Sequence, residues 1–194
     1  MKNVIIRSAT IIVVATMLIA CTKKSKNENF ADVAAPAYNA EKLPIGADGC
    51  SNLVARIRTA KGNIDFCFYA KIAPALTNRL LQLIDQGFYD GIRFHRIIPG
   101  QIVQTGDPSN SGSGGSNQTI VVEGNNLAIE RGSVVMAMDS SSREYDSQFY
   151  FALTAIQATN TGVVFGKVLS GIDVLELLSP EDRLISLVLI DEGN

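Results

Sequence analysis

The sequence of 194 residues contains no tryptophan, one histidine, three cysteines and six prolines. One histidine, without a cysteine or carboxylate cluster at ligand spacing, is too few donors for most zinc sites, so no metal is expected. A large excess of positive charge is also missing. With a net charge of −2 and a pI near 5.4, the chain lacks the basic stripe that phosphate neutralisation requires, which argues against nucleic acid as a partner. The glycine-rich SGSGGS at 111–116 has no Lys-Ser/Thr, so it is not a phosphate loop, and a flexible turn is expected there. What is present is 46% hydrophobic and 19% charged residues, enough to bury one good core.

The first twenty residues, MKNVIIRSATIIVVATMLIA, place Lys2 and Arg7 ahead of an uncharged run from Ser8 to Ala20. At about a dozen residues that run is a signal-peptide core, short of the roughly 20 that a membrane-crossing helix needs. Leu18-Ile19-Ala20-Cys21 resembles the lipobox of bacterial lipoproteins, which implies cleavage before Cys21 and lipidation of its thiol. Acyl chains contribute about 0.8 kcal/mol per buried methylene, so several of them anchor a protein without a spanning helix. Residues 21–50, rich in Lys, Asn and Ala and without apolar periodicity, are expected to form a tether, leaving 51–194 as the domain. Lys23, Lys24 and Lys26 either touch anionic lipid or only solvate the tether.

Cys50 and Cys67 then lie in an oxidising compartment, where a disulfide is permitted. A hairpin turn at Lys61-Gly62-Asn63 would place Cys67 opposite about Arg56, with Cys50 roughly 20 Å further along at 3.3 Å per residue. A bridge requires the segment before Ser51 to fold back, and the pairing stays open.

Leu53, Ala55, Ile57 and Thr59 alternate with Val54, Arg56 and Arg58, and Ile64, Phe66 and Phe68 with Asp65, Cys67 and Tyr69, which predicts a hairpin with one face buried. From Ala73 to Gly87, Pro in the first turn, Gly at the end and Leu76, Leu80, Leu83 and Ile84 on one face predict an amphipathic helix. Strand patterns recur at 92–97, 102–105, 133–138, 148–153, 163–168 and 184–190, and a short helix fits 172–178 before Pro180. Eight strands without βαβ alternation predict a mostly β fold: a closed eight-stranded antiparallel barrel capped by two α-helices, closure removing the sticky edges.

The polar residues gather in one stretch, FHRIIPGQIVQTGD at 94–107, too polar for a core strand and too apolar for a loop. It resembles the signature of the cyclophilin family of peptidyl-prolyl isomerases. FYDG at 88–91, SGSGGS at 111–116, GSVVMAM at 132–138, SQFYF at 147–151 and VVFGKVLSGIDVLE at 163–176 follow in that family's order, over roughly residues 51–191. The resemblance implies the same barrel with two capping helices. It also implies that Arg96 donates to the proline nitrogen and that Gln104 holds the guanidinium or a substrate carbonyl. Gln101, Ile102, Met136, Ala137, Met138, Gln148, Phe149 and Tyr150 would then line the substrate groove, Ala137 through its backbone. The family's chemistry requires no cofactor. His95 alternates to the other side of the strand and is expected to be a packed, hydrogen-bonded residue rather than a proton carrier.

The departures concern the proline pocket. Gln101 stands where the family has an aromatic, Met138 where it has Asn, and Tyr150 where it has Phe, while residues 156–162, IQATNTG, lack the Trp-Leu and His. Loss of the aromatic removes apolar area worth about 25 cal/mol per Å², so a weaker pocket is expected. The reading is a monomeric isomerase acting on Xaa-Pro segments of unfolded or flexible exported proteins, lipid-anchored through Cys21 in the cell envelope, on the periplasmic or outer-membrane side. A proline-peptide binding or scaffold module with lapsed catalysis is the alternative, and a structural lipoprotein without a groove ranks third.

Overall fold

The computed structural model describes residues 38–122, 124–138, 145–157 and 162–191; Cys21 and the signal segment lie outside them. Eight strands form one antiparallel sheet in the order β3-β4-β6-β5-β7-β2-β1-β8. They are β1 (Leu53–Thr59), β2 (Gly62–Phe68), β3 (Arg96–Ile98), β4 (Ile102–Thr105), β5 (Ser133–Ala137), β6 (Phe149–Ala152), β7 (Gly162–Ser170) and β8 (Ser186–Asp191). Two helices, α1 (Pro74–Asp85) and α2 (Ile172–Leu177), accompany them.

The sheet curls but does not close, contrary to the closed barrel expected from the strand count. β3 and β8 are its two edges and form no ladder with each other. The strand expected over 92–97 shrinks to Arg96–Ile98, so too little of it remains to pair with β8. Among the described residues isolated contacts cross the seam, including Gly91 N donating to Leu184 O at 2.7 Å, Leu184 N to Ile92 O at 2.9 Å, Phe94 N to Asp182 O at 3.2 Å and the single bridge of Arg93 with Arg183. The result is a half-barrel whose seam is stitched by loop backbone.

Strand alternation sorts side chains onto two faces. Inside the curl, Phe66, Phe149, Phe151 and Phe165 sit with Val103, Val134 and Met136 in the main core, all fully buried. Phe66 meets Phe68, Phe151 and Phe165 edge to face at 5.4, 5.9 and 6.4 Å, the arrangement aromatic quadrupoles favour. On the outer face a second, smaller cluster gathers Ile102, Ile129, Val135, Tyr150, Ala152 and Val164.

α1 begins with Pro74 at its first turn and buries Leu76, Leu80, Leu81, Leu83 and Ile84. It ends at Asp85, capped by Gln86 and followed by Gly87, whose φ of +66° suits the left-handed position. There Gly87 N donates to Ile84 O and Phe88 N to Leu83 O, both at 2.9 Å, satisfying two end carbonyls.

The β1–β2 turn is tighter than expected. Thr59 pairs with Gly62, leaving Ala60-Lys61 as the loop, and the Thr59 hydroxyl donates to Gly62 O at 2.8 Å and accepts from Lys61 N at 3.0 Å. The register shifts accordingly, so Cys67 lies opposite Val54 and Arg56 opposite Asp65, with which Arg56 forms a two-bond ion pair. The preceding segment folds back, as a bridge requires: Gly46 N donates to Cys50 O at 2.7 Å, Ser51 N to Phe68 O at 2.9 Å, and Cys50 and Cys67 form a disulfide with Cα atoms 5.5 Å apart. Packed chain therefore begins before Ser51. Ala40 is fully buried and its N–H donates to Asn78 on α1 at 2.8 Å.

Candidate functional site

β3 and β4 are joined by a turn in which Gln101 N donates to Ile98 O at 2.9 Å, pairing Arg96 with Gln104. β4 in turn pairs with β6, setting Gln104 beside Tyr150, and β6 with β5, setting Tyr150 beside Val135. Directly paired residues share a face, so Arg96, Gln104, Tyr150 and Val135 form one row across the outer surface. Gly106 ends β4 at φ +95°, and a Cβ there would come within 2.2 Å of Ser147 O. Only glycine lets the chain leave β4 this close to the start of β6.

Along that row runs a chain of hydrogen bonds. Arg96 Nη1 donates to Gln104 Oε1 at 3.2 Å, and Gln104 Nε2 donates to Gln148 Oε1 at 2.8 Å. Gln148 Nε2 donates to Gly112 O at 3.1 Å and Gly114 O at 2.8 Å. Arg96 is exposed while Gln104 is 8% exposed, so a permanent cation at the surface is oriented by a buried amide. Arginine suits this position because its guanidinium stays charged and presents several donors in a plane, of which one is used by Gln104.

The glycine-rich segment is tied down at several points. The Asp107 carboxylate accepts from Ser109 N and Ser109 Oγ, both at 2.7 Å, and from Gly112 N at 2.6 Å. Burial pushes the Asp107 pKa up, but these hydrogen bonds outweigh it and hold the carboxyl below its ordinary value. A Cβ on Gly114 would fall 2.1 Å from Asp107 Oδ1, which accounts for glycine there.

The residues expected to line a groove divide by face. Ile102 (6% exposed) and Tyr150 (5%) belong to the outer patch, with Ala137 and Ile98 packed against it. Gln148 and Met138 are half-buried and Gln101 is exposed in the turn. Met136 and Phe149 lie on the opposite side, fully buried in the main core, because each is one residue out of step with Ala137 or Tyr150. Their side chains serve the interior and do not reach the outer face. The Ala137 N–H donates to Gln148 O at 2.9 Å.

His95 is half-buried next to this row. Both ring nitrogens are buried, as expected of a packed residue, and the Gln148 amide is the hydrogen-bonding side chain beside the ring, although it does not meet either nitrogen in full hydrogen-bond geometry. Burial lowers its pKa and the Arg96 charge adds to that, while the Asp107 carboxylate and Gln148 pull the other way. Sequence reasoning passed over Ile98 and Val135 as parts of the outer patch, and the carbonyls of Gly112 and Gly114 as acceptors. Strand pairing reveals the first two, but nothing in composition marks the carbonyls.

The arrangement presents an exposed cation beside a buried apolar cluster on the outer side of the sheet. Comparison with known proteins points the same way. The family model for cyclophilin type peptidyl-prolyl cis-trans isomerase/CLD matches residues 54–184. Peptidyl-prolyl cis-trans isomerase B of Bacillus subtilis is 37% identical over 123 residues, 61% of this chain and 85% of that protein. Peptidyl-prolyl isomerase CWC27 of Cryptococcus neoformans is 35% identical over 118 residues, and the chain spans only 24% of that protein's length. A crystal structure of a Cryptosporidium parvum cyclophilin type peptidyl-prolyl cis-trans isomerase superposes with a TM-score of 0.66 at 26% identity, over 72% of this chain and 98% of that one. The chain belongs to the cyclophilin type peptidyl-prolyl cis-trans isomerase family.

Proposed function

We propose that the chain is a peptidyl-prolyl cis-trans isomerase that acts on Xaa-Pro segments of exported polypeptides, held at the cell envelope by lipid on Cys21. The observation that carries the catalytic part is the Arg96–Gln104–Gln148 chain of hydrogen bonds beside Ile102 and Tyr150.

Rotation about an Xaa-Pro bond must break amide resonance against a barrier of roughly 18–20 kcal/mol. As the bond twists, the proline nitrogen recovers its lone pair and becomes an acceptor. A donor that meets the nitrogen only then stabilises the transition state and not the ground state, and each 1.36 kcal/mol supplied this way is about tenfold in rate. Arg96 is the donor and Gln104 holds its guanidinium. The proline ring rests on Ile102 and Tyr150, with Gln101 at the rim. The reaction moves no proton, so the low pKa direction of His95 carries no catalytic role.

Export is supported by two observations. The signal-like segment ends in Leu18-Ile19-Ala20-Cys21, and the Cys50–Cys67 disulfide suits an oxidising compartment. A second reading, a proline-peptide binding module with lapsed catalysis, is favoured only by the exposed Gln101 at the pocket. The deciding experiment measures isomerisation of Xaa-Pro peptides by the purified full chain across varied preceding residues. Rates at background throughout would leave the binding module. Metabolic labelling with a fatty acid tests the anchor: label is expected on the chain and lost in Cys21→Ser.

A further inference from the structure

We propose that Arg79, a buried cation on α1, is a positioning residue for Arg96, acting through the glycine-rich loop and the amide of Gln148. The proposal rests on the isomerase reading given above. Arg79 is 8% exposed on a helix whose other buried residues are Thr77, Ile84 and four leucines. A cation taken out of water persists only where hydrogen bonds and an opposite charge replace the solvent. Among the described residues its two terminal nitrogens find these replacements at 116–118 and Asp146, while Nε is buried without a partner. Nη1 donates to Gln118 Oε1 at 2.8 Å, and Nη2 donates to Ser116 Oγ at 2.5 Å and to Gln118 O at 3.4 Å. Asp146 Oδ1 lies 3.9 Å from Nη2, and Ser116 Oγ donates to the same carboxylate.

Arg79 thus clamps two segments together, the loop at 116–118 and the chain entering β6 at Asp146. Asn117 N adds a bond to Asp146 Oδ2 at 3.1 Å, and a Cβ on Gly115 would fall 2.1 Å from that oxygen. The two segments converge on Gln148. Asp146 is two residues before it, and Gly114, two residues before Ser116, supplies one of its acceptors.

The polarity of the amides gives this clamp a consequence for the surface arginine. A Gln side chain has a donor end and an acceptor end, and its neighbours decide which way it faces. Gly112 O and Gly114 O accept only, so Gln148 must turn Nε2 towards the loop and Oε1 towards Gln104. Gln104 must then donate to Gln148, which leaves its own Oε1 for Arg96. With the loop displaced, Gln148 is free to turn over. Gln104 would follow and offer a donor to a guanidinium that also only donates. Arg79 therefore fixes, at one remove, whether Arg96 has an acceptor to hold it.

The test uses the purified full chain, with catalysed isomerisation of an Xaa-Pro peptide measured alongside the assigned side-chain amide NMR signals of Gln104 and Gln148. Arg79→Met keeps the apolar stem and removes every donor. It is expected to lower kcat about tenfold with KM little changed, to move the Gln148 amide signals, and to be partly rescued by Arg79→Lys. In an Arg96→Lys background the same change is expected to cost less than about twofold further, because interactions within one network do not add. Ser116→Ala removes a bridging hydroxyl and leaves the cation in place. It is expected to lower kcat about threefold, and it decides the matter where Arg79→Met fails to fold. Unmoved Gln148 signals with unchanged kcat in these variants overturn the proposal, as does an equal loss in both Arg96 backgrounds, which marks a purely structural role. If the unmutated chain shows no isomerisation, the isomerase reading falls by itself, and the Gln148 signals still decide whether Arg79 sets that amide.

Discussion

Gln104 and Gln148 are joined amide to amide, with Nε2 of the first 2.8 Å from Oε1 of the second, across the ladder that pairs β4 with β6. Because Gln148 also donates to two loop carbonyls, the pair has a direction, and that direction ends at Arg96.

Gln148→Glu tests the direction. The carboxylate keeps the shape but has no donor for Gly112 O and Gly114 O, so the loop acceptors lose their partner and face a charge. Isomerisation kcat/KM is expected to fall about tenfold, corresponding to ~1.4 kcal/mol, with the fold intact by circular dichroism.

Gln101→Phe tests the pocket. An aromatic at this exposed turn position, next to Ile102, would add an apolar wall for the proline ring. Burying about 40 Å² of additional apolar area on the proline ring is worth ~1 kcal/mol, so kcat/KM is expected to rise about fivefold. An unchanged value would show that the proline ring does not rest there.

Much of this was legible in the sequence because the informative signals were local. Pro74 and Gly87 bracket α1, and alternation from Leu53 onward marks β1 and β2. FHRIIPGQIVQTGD locates the β3–β4 hairpin and places Arg96 beside Gln104. What was illegible depended on contacts distant in sequence. Alternation within SQFYF does not say which parity faces inward, and the pairing of Phe149 with Met136 inside the curl shows it. The disulfide depends on the chain before Ser51 folding back, which no local pattern marks; the register set by Thr59 closing on Gly62 brings Cys67 opposite Val54 but still leaves Cys50 four residues short of it. Barrel closure failed as an inference because counting strands does not reveal that β3 has only three residues.

His95 provides a pH observable, because the chain has no other histidine. Burial is the leading cause that lowers its folded pKa from an unfolded value near 6.5. Above pH 6.5 both states are neutral and the residue contributes nothing to stability. As pH falls through about 6.5 the unfolded state takes the proton first, so stability declines until the lower folded pKa is reached, then levels off. An NMR titration of the imidazole is expected to give a midpoint below 6.5 in the folded chain. A midpoint above it would contradict the burial argument.

The Cys50–Cys67 bridge, spanning a sequence separation of 17, is expected to stabilise the fold by about 3 kcal/mol through loop closure in the unfolded chain. Urea unfolding of Cys50→Ser with Cys67→Ser, compared with the oxidised chain, measures it. Equal midpoints and slopes would show that the fold-back of 46–50 holds without the bridge.

In the proposed mechanism Arg96, held by Gln104, supplies the donor that lowers the isomerisation barrier. The most direct test of that role is the catalysed cis-trans exchange rate of an Xaa-Pro peptide with the full chain and with Arg96→Ala, whose exposed position makes a folding defect easy to exclude. The predicted result is measurable catalysis by the unmutated chain and a loss of about a hundredfold or more, some 2.7 kcal/mol of transition-state stabilisation, in Arg96→Ala. Catalysis that survives Arg96→Ala within about twofold would contradict the account, since a difference that small is under 0.5 kcal/mol.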